Sequence, residues 1–128
     1  SHSNCNAVYR HPRSLTDRQI DCIITRGGLI GINLYRAFLG RPGSAGFAAA
    51  HRHIRHVLER GGEHVLALGS DFDGCELEPC FAGVEKLEAF QDYLLANGMP
   101  QEQADALFYK NAEKFFQTLL QPQTDMLK

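Results

Sequence analysis

The 128-residue sequence has almost no net charge, −2 at neutral pH with histidine neutral. So even a balance supplies no field that would draw in nucleic acid or an anionic membrane surface. No run approaches the ~18 consecutive apolar residues of a membrane-spanning helix. The first residues lack a basic stretch followed by an apolar one, so no signal peptide is expected at this terminus. Cysteine pairs of the Cys-x-x-Cys kind are missing: Cys5, Cys22, Cys75 and Cys80 are scattered. The last two bracket Glu76-Leu77-Glu78-Pro79, too acidic and too broken by proline for a zinc site. Free thiols in a reducing, cytoplasmic compartment are expected. Also absent are a glycine-rich phosphate loop, a Gly-x-Ser-x-Gly elbow, a Cys/His nucleophile arrangement and a His-Glu-x-x-His helix. No two strands are joined by a hairpin turn, and there is no internal repeat.

What is present is a chain of globular composition, 44% apolar and 22% charged, long enough for one domain with its own core. Thr16 followed three residues later by Gln19 predicts a capping box, with Asp17 at the positive end of the helix it starts. Ile20, Ile23 and Ile24 give that helix one apolar face, and Gly27-Gly28 ends it. Leu29 to Leu34 reads as a buried strand. Breakers at 41–46 predict a loop, and a helix from about Phe47 to Arg60 follows, closed by Gly61-Gly62. Val65 to Leu68 is a second strand. Val84 to Ala96 reads as a helix with Leu87, Phe90, Leu94 and Leu95 inward and Asn97-Gly98 as its cap. Pro100 starts a short helix. Asn111 starts a last one carrying Phe115, Phe116, Leu119 and Leu120, and residues 121–128 read as a frayed, flexible tail. Apolar strands alternating with amphipathic helices imply parallel strands buried on both faces. Two strands cannot close a sheet, so their outer edges are expected to need partners from outside this chain, which would make it a piece of a larger fold.

The chemistry-bearing stretch is Gly69-Ser70-Asp71-Phe72-Asp73-Gly74, just past the second strand. In α/β barrels that end of a strand faces the active site. A carboxylate there can bind a divalent metal or exchange a proton with a reacting group; the alternative is a turn with Asp73-Gly74 at its tip. His2 has the chemistry of a zinc ligand, although a lone histidine near a terminus is ordinarily a solvated side chain. His51, His53 and His56 lie among Arg52, Arg55 and Arg60, a positive surrounding that would repel a cation, and read as a solvated helix surface. His11 and His64 have no partner to single them out. Arg13, in the loop Tyr9-Arg10-His11-Pro12-Arg13, has the planar group that clamps a carboxylate through two parallel hydrogen bonds, although a lone loop arginine is ordinarily solvated.

Ser1-His2-Ser3-Asn4, His11-Pro12-Arg13, Leu15-Thr16-Asp17, Gly27-Gly28, Gly31-Ile32-Asn33-Leu34-Tyr35, His53-Ile54, Gly61-Gly62 and Gly69 to Gly74 occur in an order that resembles one family. From Ser1 to about Leu120 the chain resembles the C-terminal part of the membrane (renal) dipeptidases, metallopeptidase family M19. The resemblance implies an α/β fold, the C-terminal portion of a (β/α)8 TIM-like barrel of the metal-dependent hydrolase type, incomplete in this chain. It implies residues 1–120 as barrel, two zinc ions in the complete enzyme, and cleavage of dipeptides, often with a D-residue on the C-terminal side. His2 matches the histidine that holds one zinc. Arg13 matches the arginine that binds the dipeptide's carboxylate. Asp71 matches the acid that handles the proton beside the metals. Asp73 is expected to be structural.

The family's His-x-Asp pair, bridging carboxylate and second zinc histidine would lie upstream of Ser1, and Ser14 stands where many relatives have Asn. One ligand cannot hold zinc in a four-ligand site. The chain alone is therefore expected to be inactive, and to need the N-terminal part of the barrel or a second chain, with self-association a further possibility. The alternatives are a non-catalytic module that reuses barrel parts for binding or oligomerisation, and an amidohydrolase with a different small amide substrate.

Overall fold

The computed structural model describes residues 3–34, 36–41, 46–69 and 86–120. The elements are α1 (Asp17–Arg26), β1 (Ile30–Asn33), α2 (Arg36–Leu39), α3 (Phe47–Glu59), β2 (Leu66–Gly69), α4 (Lys86–Ala96), α5 (Gln101–Asp105), a π-helical turn (Ala106–Lys110) and α6 (Asn111–Leu119). The two strands are parallel, with Ile30 opposite Leu66 and Asn33 opposite Gly69. The expected alternation of buried parallel strands and helices is what forms. Residues 121–128, expected as a tail, lie outside the described residues.

Local chemistry sets the ends of α1. The Thr16 side chain accepts from the Gln19 N–H at 3.2 Å, and the Gln19 side chain accepts from the Thr16 N–H at 2.9 Å. These two bonds satisfy donors that a helix start otherwise leaves open. Gly27 closes the helix at φ +67°, a left-handed conformation that a Cβ would oppose. Gly62 is needed for a different reason. A Cβ there would stand 2.4 Å from Val57 Cγ1 and 2.9 Å from the Val57 carbonyl oxygen, so the turn into β2 presses directly on α3.

Ile20, Ile32, Ile54, Leu66, Phe90 and Leu94 are all wholly buried and join α1, both strands, α3 and α4 in one core. The hydrophobic effect drives this contact because each helix has one apolar stripe and the strands are apolar on both faces.

Both sheet edges have partners within this chain. On one side the Ser3 N–H donates to the Gly31 carbonyl at 2.8 Å. The buried Asn4 side chain donates to the Asn33 carbonyl and accepts from the Asn33 N–H, both at 2.8 Å, standing in for a strand residue. On the other side the Asn111 amide donates to the Leu66 and Glu63 carbonyls, each at 2.8 Å. As the sequence suggests, Asn111 is the first residue of α6. It sits within a helical run from Gln101 to Leu119, and the π-helical turn before it adjusts which face meets β2. Further along, Phe116, Leu119 and Leu120 are exposed.

Candidate functional site

Of the three residues singled out for chemistry, only Arg13 falls among the described residues. His2 and Asp71 lie outside them, as do Asp73, Cys75 and Cys80. What is described is the frame on which they are strung. Ser3, next to His2 in sequence, is bonded to β1 on one side. Gly69, two residues before Asp71, pairs with Asn33 on the other.

Arg13 belongs to a loop closed at its base. Cys5 and Leu15 form a parallel bridge, the Leu15 N–H donates to the Asn4 carbonyl at 2.7 Å, and the Asn6 N–H donates to the Leu15 carbonyl at 2.8 Å. Inside the loop the His11 N–H donates to Asn6 Oδ1 at 3.0 Å, and the Arg13 N–H donates to His11 Nδ1 at 3.1 Å. The His11 ring packs on Phe38 of α2 with centroids 4.5 Å apart. The Arg13 guanidinium lies over the same ring, 5.8 Å from its centroid. Because α2 follows directly on the C-terminal end of β1, the guanidinium is exposed at that end of the strand. An exposed cation resting on an aromatic face keeps its hydrogen-bond donors available while its orientation is restricted.

The histidines of α3 do not form the solvated surface expected from the sequence. His53 is fully buried. Its Nδ1 accepts from the Cys5 N–H at 3.0 Å, and its Nε2 lies 3.0 Å from the Leu39 carbonyl. A backbone N–H can only donate and a carbonyl can only accept, so the ring is neutral with its proton on Nε2. Burial, with lesser contributions from Arg52 and His56, pushes its pKa down to about 4 against the Leu39 bond, which raises it. The Cys5 thiol, also buried, is pushed up to about 12, first by burial and then by Asp17. It remains protonated and contacts the His53 carbonyl at 3.5 Å. Both Cys5 and Cys22 are free thiols, as expected.

His56 is partly buried, with Nε2 2.6 Å from Asp17 Oδ1. Arg60 makes two bonds to Asp21, at 2.6 and 2.7 Å, and reaches Asp17 at 3.3 Å. The positive surrounding inferred from the sequence is thus offset across the α1–α3 interface by Asp17 and Asp21. Sequence spacing does not reveal such pairs, because the partners are about forty residues apart. The packing of His11 on Phe38 is equally invisible to spacing, because the two rings are distant in the sequence.

Among the described residues, no three His, Cys, Asp or Glu side chains converge on a point where a metal ion could sit. Both ring nitrogens of His53 are engaged, as is Nε2 of His56. Among the described residues, no helix is long and apolar enough to cross a membrane. The described surface carries open grooves. One of about 620 Å³ lies between α3 and the α4–α5 connection, lined by His51, Arg55, Glu63 and Met99. Another, of about 500 Å³, lies at the N-terminal ends of the strands beside Phe115 and Leu119. Arg13 lines neither.

The chain is 36% identical over 115 residues to an uncharacterised protein from the pqqA 5′ region of Klebsiella pneumoniae, covering 87% of this chain and 42% of that one. It resembles the crystal structure of dipeptidase AC, a metallopeptidase of family M19, with a TM-score of 0.85 and 33% identity. That match covers 91% of this chain and 36% of the other. It also resembles a Rhodobacter sphaeroides metallopeptidase holding a phosphinate mimic of the dipeptide L-Ala-D-Ala, with a TM-score of 0.84 and 33% identity, over 91% of this chain and 34% of that one. The chain thus spans less than half the length of these relatives. Residues 1–126 match the family model for membrane dipeptidase, and the chain belongs to that family, peptidase family M19.

Proposed function

We propose that this chain is the C-terminal part of a metal-dependent dipeptidase, and that it acts only when a (β/α)8 barrel is completed by polypeptide from outside it. One observation carries the reading. The family match covers residues 1–126, and a relative similar in structure over 91% of this chain holds a phosphinate mimic of a dipeptide.

The described residues do not form a metal site. The metal ions, zinc in this proposal, would be held by His2 together with ligands that this chain does not supply. Arg13 would bind the dipeptide's terminal carboxylate through two parallel, charge-assisted hydrogen bonds and so orient the scissile amide. Asp71 would take up and return the proton at that amide. The reading draws support from three facts. Arg13 is exposed at the C-terminal end of β1, Ser3 flanks that strand on one side, and Gly69 flanks it on the other. That is the end of the strands where α/β barrels carry their chemistry.

Hydrolysis of L-Ala-D-Ala by the full gene product tests this. Turnover that is lost on chelation and restored by zinc is expected, and the 128-residue chain alone should show none. Replacing Arg13 with Ala should raise KM about 10- to 100-fold, the range for losing a charge-assisted pair. Turnover by the isolated chain would refute the need for a completing polypeptide. An unchanged KM would refute the role of Arg13.

A further inference from the structure

We propose that His53 is a positioning residue for Arg13: its buried imidazole ties the base of the Arg13 loop to the helix that carries Phe38. The inference rests on the reading of Arg13 as the carboxylate-binding group. His53 lies forty residues beyond Arg13 in the sequence and touches neither it nor the proposed substrate.

The connection runs through two backbone atoms. On one side, Nδ1 holds the Cys5 N–H. Cys5 is the residue that bridges to Leu15 and closes the loop, and Arg13 is two positions before Leu15. On the other side, Nε2–H holds the carbonyl of Leu39, the last residue of α2 and the neighbour of Phe38. The Cys5 thiol contacts the His53 carbonyl as well, so α3 grips the loop base twice. The guanidinium of Arg13 and the ring of His11 both rest on Phe38. One rigid ring therefore sets the spacing between the loop and the aromatic platform under its tip.

No other residue type reproduces this role. Imidazole offers one acceptor and one donor on opposite edges of a flat ring, at the distance that separates Cys5 N from Leu39 O. Asn can replace the nearer nitrogen and Gln the farther one, but neither can replace both. A buried polar network of this kind is rigid only when every member is satisfied.

The test compares L-Ala-D-Ala with its C-terminal amide, using the full gene product with zinc. The amide lacks the carboxylate that Arg13 would bind. The ratio of kcat/KM for acid over amide therefore reads the clamp alone. His53→Asn and His53→Gln should each lower that ratio about tenfold, mainly through KM for the acid, and leave the amide unchanged. In an Arg13→Ala background, His53→Gln should cause no further fall. Equal losses on acid and amide would overturn the proposal and leave His53 a general support of the fold. It would also fail if Arg13→Ala collapsed the ratio while both His53 variants kept it. If Arg13→Ala itself left the ratio unchanged, the carboxylate reading would fall instead. Should neither His53 variant fold, Phe38→Leu removes the platform from the other side, and an unchanged ratio there would be equally fatal.

Discussion

Acid should destabilise this protein through His53 before most of its carboxylates are protonated. In the folded chain the ring is held neutral, with a pKa of about 4 where 6.5 is usual. Its protonation would set an N–H on Nδ1 against the Cys5 N–H, which has no acceptor to offer. The unfolded chain has no such constraint and takes up a proton near pH 6.5. Between those two values the unfolded state holds more protons, so stability falls as pH falls. The contribution is fully present above pH 6.5 and is lost on the way down to about 4. A shift of this size corresponds to about 3 kcal/mol, a large share of the total stability of an ordinary domain. The measurement is guanidinium unfolding at steps from pH 7 to 4, for the wild type and for His53→Phe. Other groups titrate in both proteins and cancel in the difference. Wild-type stability should drop about 3 kcal/mol more than that of the variant over this range. A difference that stays flat with pH would show that the imidazole is not held neutral by its surroundings.

Three further substitutions, at Asn111 and Gly62, probe how the strands are held. Asn111→Ala removes both hydrogen bonds to the carbonyls of Glu63 and Leu66 and should cost about 2 kcal/mol, read as a lower denaturation midpoint. Asn111→Asp should cost more, because it sets a carboxylate against two carbonyl oxygens. Gly62→Ala should destabilise by roughly 1–3 kcal/mol through the clash with Val57, although nothing in its backbone conformation forbids alanine. If its melting temperature matched that of the wild type, the close approach of the turn to α3 would be disproved.

The local elements were largely legible. The capping box at Thr16 and Gln19 depends on two side chains three residues apart, and it forms as the spacing predicts. The helix from Phe47 stops within a residue of its expected end, because Gly61 and Gly62 follow it. β1 and β2 were visible as short apolar runs, each following a pair of glycines. Asn4, His53 and Asn111 could not be ranked this way. The sequence places His53 on a helix surface and Asn111 at a helix start, and gives Asn4 no structural place of its own. Each is buried because a backbone donor or acceptor, 29 to 48 residues away, needs a partner.

The order of motifs along the chain was enough to identify the family, because backbone turns, strand ends and loop residues recur there at characteristic intervals. It was also enough to single out Arg13 as the carboxylate-binding candidate. Only the folded chain decided what supports that arginine. The support is a ring on α2, a second ring two residues away and a buried imidazole on α3, brought together by packing across the core. The packing of Arg13 and His11 on Phe38 and the bond of His53 to Cys5 leave no trace in local spacing, since each joins residues that are distant in the sequence.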